Sequence, residues 1–195
     1  MIPAFDVVVE IAATTPNMSR LTAALRMRTW GTNRDHEAIR PGDWSFAHQV
    51  VRDEQAIVAA ADAASATAVQ FEDAIDALAD ESDWCGLDVG VGGLVHALNA
   101  AGCATEISCR AHPGWPWAEY PMVVFACDQM RFRELIPLAA AAGVGIDDYA
   151  EGGVCLYAQS VRPMMALAQA ILDRRPTFTP MPETIPWDDA LIEPD

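Results

Sequence analysis

One stretch of this sequence repeats itself. Leu94-Val95 followed by Ala100-Ala101-Gly102 returns 41 residues later as Leu135-Ile136 followed by Ala141-Ala142-Gly143. An internal repeat restricts the architecture more than any local propensity does, because both copies are expected to fold alike. In each copy apolar residues recur at helical spacing (Val91, Leu94, Val95 and Leu98; Phe132, Leu135, Ile136 and Ala139). A glycine then stands where a left-handed residue ends a helix. Two runs of strand composition follow each helix: residues 104–109 and 121–127 in the first copy, 144–149 and 154–159 in the second. Ser160 opens a last helix in which Pro163 is tolerated in the first turn and Met164, Leu167, Ala168, Ile171 and Leu172 share a face. The half therefore reads (αββ)(αββ)α. Two such units pack most simply as one antiparallel sheet with the helices on one face, an α+β fold.

The copies differ in one place. Ala150-Glu151-Gly152-Gly153 is a tight turn between the second pair of strands, whereas residues 110–120 form an insertion between the first pair. An insertion into an otherwise minimal connection is where function is expected. Asp88 and Asp128 stand as N-caps of the two repeat helices, and Pro137 predicts a kink or a later start in the second.

Upstream, Phe5, Val7, Val9 and Ile11 alternate with Asp6, Val8 and Glu10, which predicts a half-buried N-terminal strand. Asn17 can cap a short helix reaching Met27. From Trp44 to Ala79 apolar residues, Val50, Val51, Ile57, Val58, Val69, Phe71, Ile75 and Leu78 among them, recur at helical spacing. A bland stretch at 63–68 suits a break, so these Ala-rich acidic helices form a hairpin or one bent helix. The prolines of residues 175–195 preclude regular structure, yet Phe178, Ile185, Trp187 and Leu191 suggest a tail lying across the body or a partner. Three regions result, 1–83, 84–174 and 175–195, expected to form one compact unit.

Charge narrows the partners. Twelve basic residues, all arginine, stand against 28 acidic ones, for a net charge of −16. Alanine and arginine without lysine fit the coding bias of a high-GC bacterial genome. Residues 53–109 contain no arginine but eleven carboxylates, and residues 183–195 have no base either. Phosphate binding is driven by cations, so nucleic acid and anionic membrane surfaces are disfavoured, whereas a basic protein partner would be attracted. No apolar run approaches the ~20 residues of a membrane span. The start has no basic segment of a secretory signal, and the five cysteines (Cys85, Cys103, Cys109, Cys127, Cys155) show no close pairing. Both features suggest a reducing cytoplasm with thiols that serve mainly as core filler.

The chemistry-bearing residues cluster at the insertion. Ser108, Cys109 and His112 lie at the end of a strand, where an imidazole could lower the thiol pKa and generate a nucleophile. The same C-x2-H spacing could supply half a metal site, with the rest brought from afar by His96, Cys85, His36 or His48. No second paired spacing exists, so no metal or cofactor is assigned. Trp115, Trp117 and Tyr120, stiffened by Pro113, Pro116 and Pro121, suit interface anchors or a lid over the sheet edge. Asp147-Asp148 and Asp188-Asp189 read as solvated charges, because neighbouring strand residues point oppositely. Gly90-Val91-Gly92-Gly93 follows no strand, so it does not read as a nucleotide loop.

The pattern Asp88-x2-Val91-x2-Leu94-x3-Leu98-Asn99-x2-Gly102-x2-Thr105-x2-Ser108-Cys109 resembles small bacterial and phage proteins in which a helix ending "LN..G" leads to a strand ending "SC.G" or "SC.GH". It is also faintly similar to the wybutosine-synthesis methyltransferase family typified by TYW-three, whose corresponding strand ends Ser-Ser-Cys-Ser-Gly-Arg. This chain carries Ile107 in place of the first serine and Arg110-Ala111 in place of Ser-Gly. The missing glycine removes freedom that a turn hugging a ligand would use. The residues favour an acidic, non-enzymatic protein-binding protein such as an inhibitor, immunity protein or defence accessory. Ser108, Cys109, His112, Trp115, Trp117, Tyr120 and Trp187 are its contact candidates. The alternatives are an enzyme or small-ligand binder built on Cys109 and His112, as in RNA modification, or a metal-stabilised module.

Overall fold

The computed structural model describes residues 1–17, 19, 20, 36, 42–79, 86–112, 119–149 and 152–182. The fold is α+β. Helices α1 (Trp44–Ala64) and α2 (Ala68–Ala79) precede α3 (Gly92–Ala100), β1 (Ala104–Cys109), β2 (Met122–Ala126), α4 (Gln129–Ala142), β3 (Gly145–Tyr149), β4 (Gly153–Tyr157), α5 (Val161–Asp173) and the turn α6 (Arg175–Phe178). The strands form one antiparallel sheet in the order β1-β2-β4-β3. The (αββ)(αββ)α reading therefore holds.

The repeat has a spatial meaning. β3 starts 41 residues after β1, but β4 starts only 31 after β2, because the first connection is longer. At that offset of 31, Val124 and Cys155 are counterparts, and they are also directly paired across the β2–β4 ladder. The two units are thus related by an approximate two-fold axis between these residues. Alternation sends Val123, Phe125, Val154 and Leu156 towards α3, α4 and α5, where they form the main core with Leu94, Leu98, Leu135 and Ile171. Every residue of α3 is buried, since α1 packs on its other side. Trp44, Ala47 and Val51 of α1 join the same core.

Several local expectations need correction. α4 begins at the Asp128 cap, whose carboxylate accepts from Met130 and Arg131 N–H, and it runs through Pro137. Pro137 is exposed, so the missing N–H is lost on the solvent side. Val69 does not belong to the buried stripe of α2; it is 64% exposed, and Phe71 and Ile75 hold that helix. Ser160 makes no side-chain cap bond. Arg175–Phe178 is helical despite Pro176, which falls in the first turn where its missing N–H costs nothing. Phe178 is buried in the core, so at least this part of the C-terminal segment is docked. Residues 183–195, with Trp187, lie outside the described residues.

The N-terminal segment is not a true strand. Phe5, Val7 and Val9 are half-buried and alternate with exposed neighbours, but among the described residues the only ladder contact is a parallel bridge from Ile11 to Ile146. The segment is an extended arm over the outer sheet face, held by Phe5 N–H to Gln159 and Ala12 N–H to Ile146. Asn17 accepts from Ser19 N–H as a cap would, while most of the helix expected after it falls outside the described residues.

Candidate functional site

The end of β1 carries two adjacent constellations. The first surrounds the start of the long β1–β2 connection. Asp88 does not cap α3 with its side chain. Its carbonyl accepts from Val91 and Gly92, while Oδ2 accepts the Arg110 N–H at 3.1 Å. The Arg110 side chain, 5% exposed, reaches Glu72 Oε2 at 3.1 Å through Nε and Asp76 Oδ1 at 2.5 Å through Nη2. Glu72 and Asp76 are four apart on α2, the spacing that puts two side chains on one helix face. That pairing was visible in the sequence; its target, Arg110, was not.

Ala111 turns the chain at φ +63°, the one non-glycine residue with positive φ among those described. This is the position where the resembling sequences carry glycine, so alanine has taken the conformation that glycine would make easy. The turn forms without the glycine. The turn brings His112 back beside Cys109. His112 Nδ1 lies 3.4 Å from Glu72 Oε2 and Nε2 lies 3.6 Å from Asp88 Oδ2. One ligand atom each from Asp88, Cys109 and His112 falls within 4.8 Å of the others, and all three are half-buried.

The surroundings of Cys109 disfavour its thiolate form. Burial first, and then the charge of Asp88, push its thiol above the ordinary range; the Ala111 N–H at 3.4 Å from Sγ and Arg110 only partly oppose this. With chelator present, Cys109 is expected to alkylate with iodoacetamide at pH 7 more slowly than a free thiol of pKa about 8.5. Peptide mapping by mass spectrometry reads the rate, and a rate at or above that of a free thiol would restore the nucleophile.

The second constellation lies on the helix side of β1. A β-bulge between Thr105 and Ile107 lets Thr105 and Ser108, three apart, face the same way. His36 joins them. Its Nδ1 is 2.8 Å from Thr105 Oγ1 and its Nε2 is 3.3 Å from Ser108 Oγ. Asn99 donates to Thr105 Oγ1 at 2.8 Å and to the Val95 carbonyl at 2.7 Å. Glu106 of the same strand forms a buried ion pair with Arg20 from the N-terminal region. Within this network His36 spans the hydroxyls of Thr105 and Ser108.

The remaining candidates are not gathered here. His96 is buried against Phe46, and burial lowers its pKa to about 4. His48 is half-exposed on α1. Tyr120 leans on Tyr157, 5.4 Å between ring centroids, and packs half-buried on the outer sheet face. Cys85, Trp115 and Trp117 lie outside the described residues.

No known family, curated protein or solved structure matches the chain. The site has to be read from its own chemistry. Asp88, Glu72 and Asp76 were missed as site members because they reach the site from outside the β1–β2 segment, and His36, named in the sequence only as a distant metal-ligand candidate, meets Thr105 and Ser108 instead. Among the described residues no helix is long and apolar enough to cross a membrane.

Proposed function

We propose that this chain is a non-enzymatic protein-binding protein whose partner offers a basic surface. The observation that carries this reading is the convergence of Glu72 and Asp76 from α2 with Asp88 from the α3 approach, at the mouth of the β1–β2 insertion. Arg110 is the guanidinium they enclose, and exposed Asp73 extends the acidic face along α2. A like-signed cluster beside an insertion steers a cationic partner and fixes its register. An inhibitor, an immunity protein or an accessory of a bacterial defence system would use such a surface. The raised thiol pKa of Cys109 weighs against covalent catalysis through that thiol.

The test is native co-purification followed by calorimetry on the isolated pair. A stoichiometric basic partner is expected, with affinity that falls steeply as salt rises. Asp73→Asn with Asp76→Asn should weaken it at least about tenfold, chiefly through slower association. A partner bound equally well by the double variant would overturn the reading.

A further inference from the structure

We propose that Asp88, Cys109 and His112 form a binding site for a divalent transition metal ion of the zinc class. Three different donors, a carboxylate, a thiol and an imidazole, come from two segments of chain and meet within 4.8 Å. That mixture of hard and soft ligands suits zinc or cobalt and does not suit magnesium or calcium, which take oxygen alone.

The distances fit. Bonds of about 2.0–2.3 Å in a tetrahedron put ligand atoms about 3.3–3.8 Å apart. His112 Nε2 and Asp88 Oδ2 are 3.6 Å apart, too far for a hydrogen bond and about right for two corners sharing one ion.

The surroundings are those of a supported ligand set. A metal-binding histidine commonly gives its other ring N–H to a carboxylate, which fixes the tautomer and the ring plane. Glu72 Oε2, 3.4 Å from His112 Nδ1, occupies that position. Glu72 is itself held by Arg110, whose own backbone N–H holds Asp88 Oδ2 at 3.1 Å. One residue thus orients both a ligand and the carboxylate behind another. The strained Ala111, between Cys109 and His112, is what lets a C-x2-H segment turn both side chains to one point.

Charge also balances. The cation would face the Asp88 carboxylate and the Cys109 thiolate, the thiol proton leaving to solvent as the metal–sulfur bond forms. The Arg110 cation beside them is already matched by Glu72 and Asp76. Three protein ligands leave a fourth position for water or for a side chain from outside the set.

Metal binding needs no partner protein, so its test is separate from that of the proposed function. Purified full chain, stripped with chelator and reduced, is titrated with Co²⁺ and then with Zn²⁺ in competition with a chromophoric chelator. One equivalent is expected, with tetrahedral ligand-field bands and a thiolate-to-cobalt charge-transfer band. Cys109→Ser should abolish the charge-transfer band while leaving the circular dichroism unchanged. His112→Ala and Asp88→Asn should each weaken zinc at least tenfold, and Glu72→Gln about tenfold or more through the ring it orients. Cobalt bound without the thiolate band, or zinc bound equally by wild type and the Cys109→Ser His112→Ala double variant, would overturn the site.

Discussion

Replacing Glu54 with alanine is expected to lower stability by about 3–5 kcal/mol at pH 5, close to the limit for a domain of this size. Glu54 is fully buried on α1, and its Oε1 accepts the N–H groups of Gly90 at 2.7 Å and Gly93 at 3.1 Å. The Gly90-Val91-Gly92-Gly93 turn is thus an anion-binding helix start that the protein fills with its own carboxylate. A side chain at Gly93 would overlap Glu54 Oε2, which accounts for the glycine. Alanine at position 54 would leave two buried donors without an acceptor and open a cavity beside α3, each effect worth roughly 1–3 kcal/mol.

The pH dependence has a definite sign. Burial raises the Glu54 pKa from 4.5 to about 7, against the opposing glycine N–H bonds. Between those values the folded state holds a proton that the unfolded state has released, so stability falls as pH rises, by about 3 kcal/mol in all. Glu54→Gln keeps an acceptor for the glycines and has no proton to lose. It is expected to be mildly destabilising at pH 4 and to match or exceed the wild type at pH 8. Urea unfolding at both pH values reads this directly, and parallel pH profiles for the two proteins would refute the assignment.

What the sequence made legible is what repeats locally. The Leu94 and Leu135 helices, the strands after them and the Gly143 stop (φ +75°) follow from periodicity and turn chemistry within each unit. Cys103, Cys127 and Cys155 are buried, as expected of core filler. What could not be read depends on contacts between distant elements. Asp88 looks like a cap until the β1–β2 connection places Arg110 and His112 beside it. Thr105 and Ser108 appear to face opposite ways until the bulge between Thr105 and Ile107 brings both to His36. Glu54 reads as one more acid of an acidic helix, although its place between Val50 and Val58 puts it on the buried stripe, where it lies beneath the glycine turn. In each case a polar side chain is satisfied by backbone or charge more than twenty residues away, or by a ladder irregularity that carries no propensity signal.

Gly145→Val should release the N-terminal arm at a cost of about 2–4 kcal/mol. On β3, Gly145 lies opposite Tyr157, and a Cβ there would come within 2.7 Å of three carbons of that ring. The ring can lie over the strand only because the glycine has no side chain. Tyr157 in turn accepts the Glu10 N–H on its hydroxyl at 3.1 Å, on the outer face where Val7 packs. A branched side chain would push the ring away, and the arm would lose both that bond and its packing surface. Tyr157→Phe removes the hydroxyl alone and should cost only about 1 kcal/mol. Hydrogen exchange separates the cases: the amides of Phe5 and Ala12, bonded to Gln159 and Ile146, are expected to lose protection in Gly145→Val well before those of β2 and β4. Unchanged protection at both amides would mean that the arm is held by something other than the Tyr157 ring, since the ring cannot keep its place above valine.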